Sequence, residues 1–221
     1  MNLLKDILTY AVRGSGKYLL LTCVVLSVVA DLAGIAPLLG GIAAVLLSGY
    51  FCATYFHLIQ STATGGKEAP EFPETSNIFE DIIWPMLQIF IVALVSFGPG
   101  IAYVMSQDEQ TGNMWVALGL LGAGVVYFPM AMLAVVVLGY SWALSPHIVL
   151  PAIFRAGWIY WLGVVMLGIL YVVSTIVERK LSGQIIVSHL VMAVVGSYTM
   201  ITNARILGVV YRERQEELGW L

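Results

Sequence analysis

MWVALGLLGAGVVYFPMAMLAVVVLGYSWAL, running from Met114 to Leu144, contains no charged residue and one proline, Pro129. At a rise of about 1.5 Å per residue the run exceeds the roughly 30 Å hydrocarbon core of a bilayer, so it reads as one tilted, kinked span or two short ones. That choice sets the side of the membrane reached by everything after it. On both sides of this segment, from Tyr18 to Val210, the chain is a near-continuous series of apolar runs. Hydrophobic residues make up 60% of the 221 and charged residues only 10%. Such a surface cannot face water, and no stretch is polar enough to form a separate soluble domain.

The expected architecture is an all-α integral membrane protein, one membrane domain over residues 1–221. Leu3, Leu4, Ile7, Leu8 and Ala11 share one helical face and Asn2, Lys5, Asp6, Thr9 and Arg13 the other, the pattern of an amphipathic helix over 1–13 lying in the membrane plane. Spans follow at about 18–32, 38–60, 86–105, 114–144, 157–177 and 185–210. A tight turn at Gly34 to Pro37 separates the first two, and a polar cytoplasmic loop over 61–77 follows the second. Asn77 and Glu80 have capping-box spacing, so a helix starts near Ile78, and Pro85 should bend it into the third span. Asp108 to Asn113 and Glu178 to Gln184 are loops, Pro146 to Ala156 a connector, and 211–221 a short charged cytoplasmic helix.

Counting Met114 to Leu144 as one span puts Lys5, Arg13, Lys17, Lys67, Arg155, Arg205, Arg212 and Arg214 on the cytoplasmic side and only Arg179 and Lys180 outside. Counting it as two gives six against four. The positive-inside rule therefore selects a six-span helical bundle with both termini cytoplasmic.

Composition also narrows the chemistry. A formal net charge of -3 with no basic run argues against nucleic acid, which leaves membrane lipids, other membrane subunits or self-association as partners. Cys23 and Cys52 lie in apolar runs and read as packing residues. Arg13-Gly14-Ser15-Gly16-Lys17 lacks the spacing of a phosphate-binding loop and reads as a flexible hinge. His57 and His147 fall at the cytoplasmic boundary and His189 near the opposite one, too far apart to ligate one haem, so no cofactor or metal is expected. Asp31, Gln88 and Asn203 are polar groups in spans, with no ionisable residue at mid-bilayer.

In span 2, Gly40, Ala44, Ser48 and Cys52 recur every four residues beside Gly41, Gly49 and Ala53. This small stripe should let a second backbone approach, in the bundle centre or at an oligomer interface. Gly119, Gly122 and Gly124 suggest a similar contact in span 4. Residues 49–57 and 139–147 share Gly, Tyr, Ala and His at matching positions, a candidate internal repeat. The sequences Gly98-Pro99-Gly100 and Pro129 are expected to interrupt spans 3 and 4, as in transporters. On the cytoplasmic face, acidic Glu71, Glu74, Glu80 and Asp81 should attract Arg205, Arg212 and Arg214. Phe72 and Trp220 would then be the apolar anchors of a docking surface.

Three stretches together resemble an uncharacterised family of bacterial polytopic membrane proteins, a domain of unknown function distantly like Yip-type membrane domains. They are Gly49-Tyr50 through Gly66 to Pro70-Glu71-Phe72-Pro73 and Phe79-Glu80-Asp81; Pro129 with Ala143-Leu144-Ser145-Pro146 and Tyr160; and Arg205-Ile206-Leu207-Gly208 with Tyr211-Arg212 and Leu218-Gly219-Trp220. The resemblance implies a bacterial cytoplasmic membrane and a six-span bundle, and carries no catalytic residues. The expected function is a non-enzymatic membrane subunit or scaffold, with a small-solute or lipid transporter as the alternative.

Overall fold

The computed structural model describes residues 3–33, 37–66, 68–70, 72–73, 77–107, 113–181 and 185–220. Every regular element among them is helical: α1 (Leu3–Tyr10), α2 (Gly16–Ala33), α3 (Pro37–Ala63), α4 (Trp84–Ser106), α5 (Met114–Leu138), α6 (Pro146–Leu181) and α7 (Ile185–Leu218), with a π turn at Phe79–Ile83 and a 3-10 turn at Ser141–Leu144. Five segments are long and apolar enough to cross a bilayer: Gly40–Ala63, Phe79–Ser106, Met114–Leu138, Pro146–Leu181 and Val187–Leu218. Helix α2 has 18 residues, about 27 Å of rise, slightly less than a hydrocarbon core. The turn expected at Gly34 to Pro37 falls largely outside the described residues, as does most of the loop expected at 108–113; of the loop expected at 178–184, residues 178–181 are instead the end of α6 and 182–184 lie outside the described residues.

The run that opened the sequence is one helix, not two. It ends at Leu138, earlier than expected, because Gly139 adopts φ 75° and its N–H caps the Val135 carbonyl, a conformation that suits glycine. Helical backbone persists through Pro129, and α4 likewise persists through Gly98-Pro99-Gly100, so neither span is broken as expected. Neighbouring helices can support a proline in an apolar span without unwinding it. The break lies instead in α6, at Gly157 (φ 62°, ψ -148°), and the connector expected at 146–156 is the helical first part of that element. Helix α7 runs on into the charged C-terminal segment and kinks there, with non-helical backbone at Arg214.

The innermost element is the second half of α5, where every residue from Pro129 to Val136 is buried. Packed around it are Leu58 and Ile59 of α3, Val149 and Ile153 of α6, and Ile201 and Leu207 of α7. Helix α3 meets this core through its C-terminal half. In its N-terminal half Gly40 is buried but Ala44 and Ser48 are exposed and Cys52 is half-buried, so the expected four-residue stripe does not face the bundle as a unit. The close approach is made one residue over. A Cβ on Gly49 would lie 2.4 Å from Ile82 Cγ2 and 2.8 Å from the Ile82 carbonyl oxygen. In α5 the equivalent contact is at Gly124, 2.5 Å from the Ser96 carbonyl oxygen, while Gly119 and Gly122 meet nothing within 4 Å.

Two local expectations change for geometric reasons. The Asn77 side chain does cap the turn at Phe79 N, but the reciprocal bond comes from Asp81, whose carboxylate accepts from Asn77 N at 2.8 Å, because the first turn is the wider π form. The proposed repeat is not structural: residues 49–57 are helix interior, whereas 139–147 hold a left-handed cap, a 3-10 turn and the start of α6.

Gly49→Leu should therefore lower the melting temperature in detergent, overpacking of this kind costing about 1–3 kcal/mol. Ser48→Leu should leave it unchanged. Thermal denaturation of the two variants checks the register, and equal loss would place both residues in the interior.

Candidate functional site

The single buried charged side chain among the described residues is Arg205, 2% exposed on α7. A guanidinium removed from water needs its donors satisfied, and the chain supplies partners from three elements. Nη1 donates to Thr62 Oγ1 at 3.2 Å and to the Gly66 carbonyl at 2.7 Å, while Nη2 stands 3.6 Å from Asp6 Oδ2. The planar group also lies 4.3 Å from the centroid of the Tyr10 ring, within cation–π range.

Local sequence explains each placement. Three residues beyond Arg205, on the same helix face, Gly208 has no Cβ, and one placed there would sit 2.4 Å from Thr62 Cβ. The end of α3 can therefore press against α7 and bring Thr62 within reach. Helix α3 then stops in a Schellman arrangement: Gly65 takes φ 89°, Gly66 N donates to the Ser61 carbonyl at 2.7 Å and Gly65 N to Thr62 at 3.1 Å. This cap turns the Gly66 carbonyl toward Arg205. Helix α1 delivers Asp6 and Tyr10, and is tied to α7 again by Tyr198 Oη donating to the Leu8 carbonyl at 2.8 Å.

The residues Arg13 to Lys17, expected as a flexible hinge, form a packed turn. Gly14 takes φ 54°, a Cβ on Gly16 would overlap the Tyr10 carbonyl oxygen, and Ser15 Oγ accepts from Ala69 N at 2.7 Å. Between this turn, α1 and residue Glu68 lies a cavity of about 340 Å³ lined by Asp6, Arg13, Ser15 and Tyr18 among others. Burial pushes the Tyr10 hydroxyl above the usual phenol range, with Arg205 opposing and Asp6 reinforcing the shift, so it stays neutral near pH 7. A second, apolar cavity of about 530 Å³ opens between α4, α5 and α6, bounded by Val95, Pro99, Tyr127, Phe154 and Trp161.

The other residues read from the sequence are dispersed. Glu71 and Glu74 lie outside the described residues. Arg212 pairs with Glu213 at 3.3 Å and Arg214 with Glu217 at 2.8 Å, near neighbours on their own helix. Neighbouring pairs need less ordering of chain. The Arg214 hydrogen bond holds the fully exposed Glu217 below the usual carboxylate range. Phe72 stacks on Tyr50 at 6.3 Å between centroids and Trp220 on Tyr211 at 6.0 Å, so both aromatics turn back onto their own bundle. His57, His147 and His189 are exposed, and no group of three metal-ligating side chains forms among the described residues. Asn203 accepts from Tyr55 Oη at 2.9 Å and Gln88 is buried.

Sequence reading treated Arg205 as one more cytoplasmic charge and did not find its partners. The available signal was an arginine inside an apolar run, three residues before a glycine.

Arg205→Ala should destabilise the protein by on the order of 2–4 kcal/mol, since two buried acceptors lose their donor. Arg205→Lys should fail to restore it, an ammonium being unable to span both acceptors in one plane. Asp6→Asn should cost only about 1 kcal/mol, because the Asp6 side chain is 52% exposed. Melting temperatures of the three variants in detergent give this order, and a larger loss for Asp6→Asn would make the ion pair the main term. Comparison of the chain with protein-family profiles, with curated proteins and with solved structures finds no match.

Proposed function

We propose that the chain is a non-enzymatic integral membrane subunit, a scaffold that packs against other membrane proteins or further copies of itself. The observation that carries this reading is the use made of Arg205. The protein spends its buried charge on fastening α1, the end of α3 and α7 to one another, and so on its own rigidity. A site for catalysis or alternating access would need such a group free to change partners.

In this reading α2 joins the five longer segments as a sixth span and α1 lies in the membrane plane. The termini face the cytoplasm of a bacterial cell, as the lysine and arginine distribution supports. The six-span form of the Yip-like families is consistent with this. The partner face is the outward side of α3, where Gly41, Ala44 and Ser48 are exposed and Gly41 has no neighbour within 4 Å of a built Cβ. Small residues at that spacing admit a second helix at short range. Phe72, 38% exposed, adds to a docking surface at the neighbouring loop; Trp220 is stacked and half-buried and contributes less.

A small-solute or lipid transporter is the alternative, favoured by the break at Gly157 near the 530 Å³ cavity. Gentle solubilisation followed by native mass analysis separates the two. The scaffold reading expects a stoichiometric subunit or oligomer that Ala44→Leu and Ser48→Leu release without loss of melting temperature. A purified monomer that passes solute across vesicles, and loses that flux on Gly157→Pro, would replace it with the transporter. Single cysteines at Thr64 and Gln215 should be labelled from the cytoplasmic side and one at Gln110 from outside; labelling of Thr64 and Gln215 on opposite faces rejects the six-span topology.

A further inference from the structure

The polar cavity at the α1–α2 turn carries charges of both signs. Asp6 already stands opposite Arg205. That leaves Arg13 and Glu68, two exposed side chains on the wall of one cavity that form no ion pair with each other or with any other described residue. Opposite charges held apart across about 340 Å³ suit an occupant that is itself a dipole of full charges.

We propose that this cavity binds the headgroup of a zwitterionic phospholipid bearing a primary ammonium, with phosphatidylethanolamine as the simplest case. The phosphodiester would sit against Arg13 beside the N-terminal end of α2, whose dipole favours an anion. Ser15 strengthens that end: its oxygen already accepts from Ala69 N, and its hydroxyl proton remains available to a phosphate oxygen. The ammonium would sit against Glu68, with Asp6 beyond it. Carboxylates reward a cation that can donate hydrogen bonds, which a quaternary choline cannot. Choline recognition relies on open aromatic faces, and the two rings lining this cavity each have a face covered by the chain's own cation, Tyr10 by Arg205 at 4.3 Å and Tyr18 by Lys17 at 4.9 Å.

Position agrees with chemistry. The cavity lies where an eight-residue helix meets the start of a strongly apolar one, and along α2 beside it Tyr18, Leu21, Val25 and Val29 are exposed. Acyl chains attached to a headgroup in the cavity would run down that face. The inference is independent of whether the protein is a scaffold or a transporter.

The test uses the full chain in detergent, with native mass spectrometry of lipid adducts at equal concentrations of phosphatidylethanolamine, phosphatidylglycerol and phosphatidylcholine. Phosphatidylethanolamine should be retained best. Arg13→Gln and Glu68→Gln should each weaken its retention by roughly threefold to tenfold, the factor for losing one charge-assisted contact, while the remote Glu178→Gln leaves it unchanged. Both substituted side chains are exposed, so the fold is kept and the melting temperature verifies this. Phosphatidylglycerol binding as well as phosphatidylethanolamine would reduce the cavity to a basic surface and overturn the proposal. Equal retention of phosphatidylcholine would remove the need for a primary ammonium, and an unaltered Glu68→Gln would remove the carboxylate; either result overturns it as well. Phosphorylethanolamine in solution bound as tightly as the lipid would make the occupant a soluble molecule and defeat the membrane assignment.

Discussion

A charged side chain kept out of water needs partners to offset its lost hydration, and that requirement organises one end of this bundle, although Arg205 Nε finds no hydrogen-bond partner among the described residues. Arg205 draws an acceptor from the last turn of α3, another from the cap beyond it, a carboxylate and a ring from α1. The two acceptors from the end of α3 come within reach because α3 and α7 pack more closely than helices ordinarily do. The missing Cβ of Gly208 permits that approach, so a packing feature is the precondition for an electrostatic one. Because the acceptors are mostly neutral and one carboxylate is half in water, the arrangement depends on geometry more than on charge pairing.

Away from this end, stabilisation has a different origin. The stretch Met130 to Val136 of α5 is buried among α3, α4, α6 and α7, whereas α2, the outer face of α4 and much of α6 present Val25, Phe90, Trp158 and Tyr171 outward. In a bilayer, burying such side chains between helices gains little over leaving them in lipid, so contact quality decides the packing. The close approaches at Gly49, Gly124 and Gly208 are the places where that quality is set, each backbone to backbone or nearly so.

The helices were legible because a bilayer leaves few alternatives: apolar runs near 20 residues long with polar gaps between them mark the elements, though not the helical extensions at the start of α6 and the end of α7. Glycine and proline were less legible. Gly157 and Gly139 terminate or break helices through positive φ, while Pro99 and Pro129 pass through helices intact. Both outcomes depend on what surrounds the residue, which spacing alone does not carry. On α3 the backbone approach is at Gly49 and Ala53 is buried, but the face bearing Ala44 and Ser48 points outward. The candidate site was nearly invisible, since its parts lie at positions 6, 10, 62, 66 and 205 and no local pattern joins them. Counting Arg205 among the cytoplasmic charges said nothing of its partners.

The bond from Arg205 to Gly66 joins residues 139 positions apart. During synthesis α1 and the cap of α3 are made well before their shared partner on α7. At about 5–20 residues per second the interval is roughly 7 to 28 s. Over that time Thr62 and the Gly66 carbonyl must find water or lipid headgroups in place of a guanidinium. Until α7 docks, that end of the nascent protein stays open, its acceptors unmet by the guanidinium.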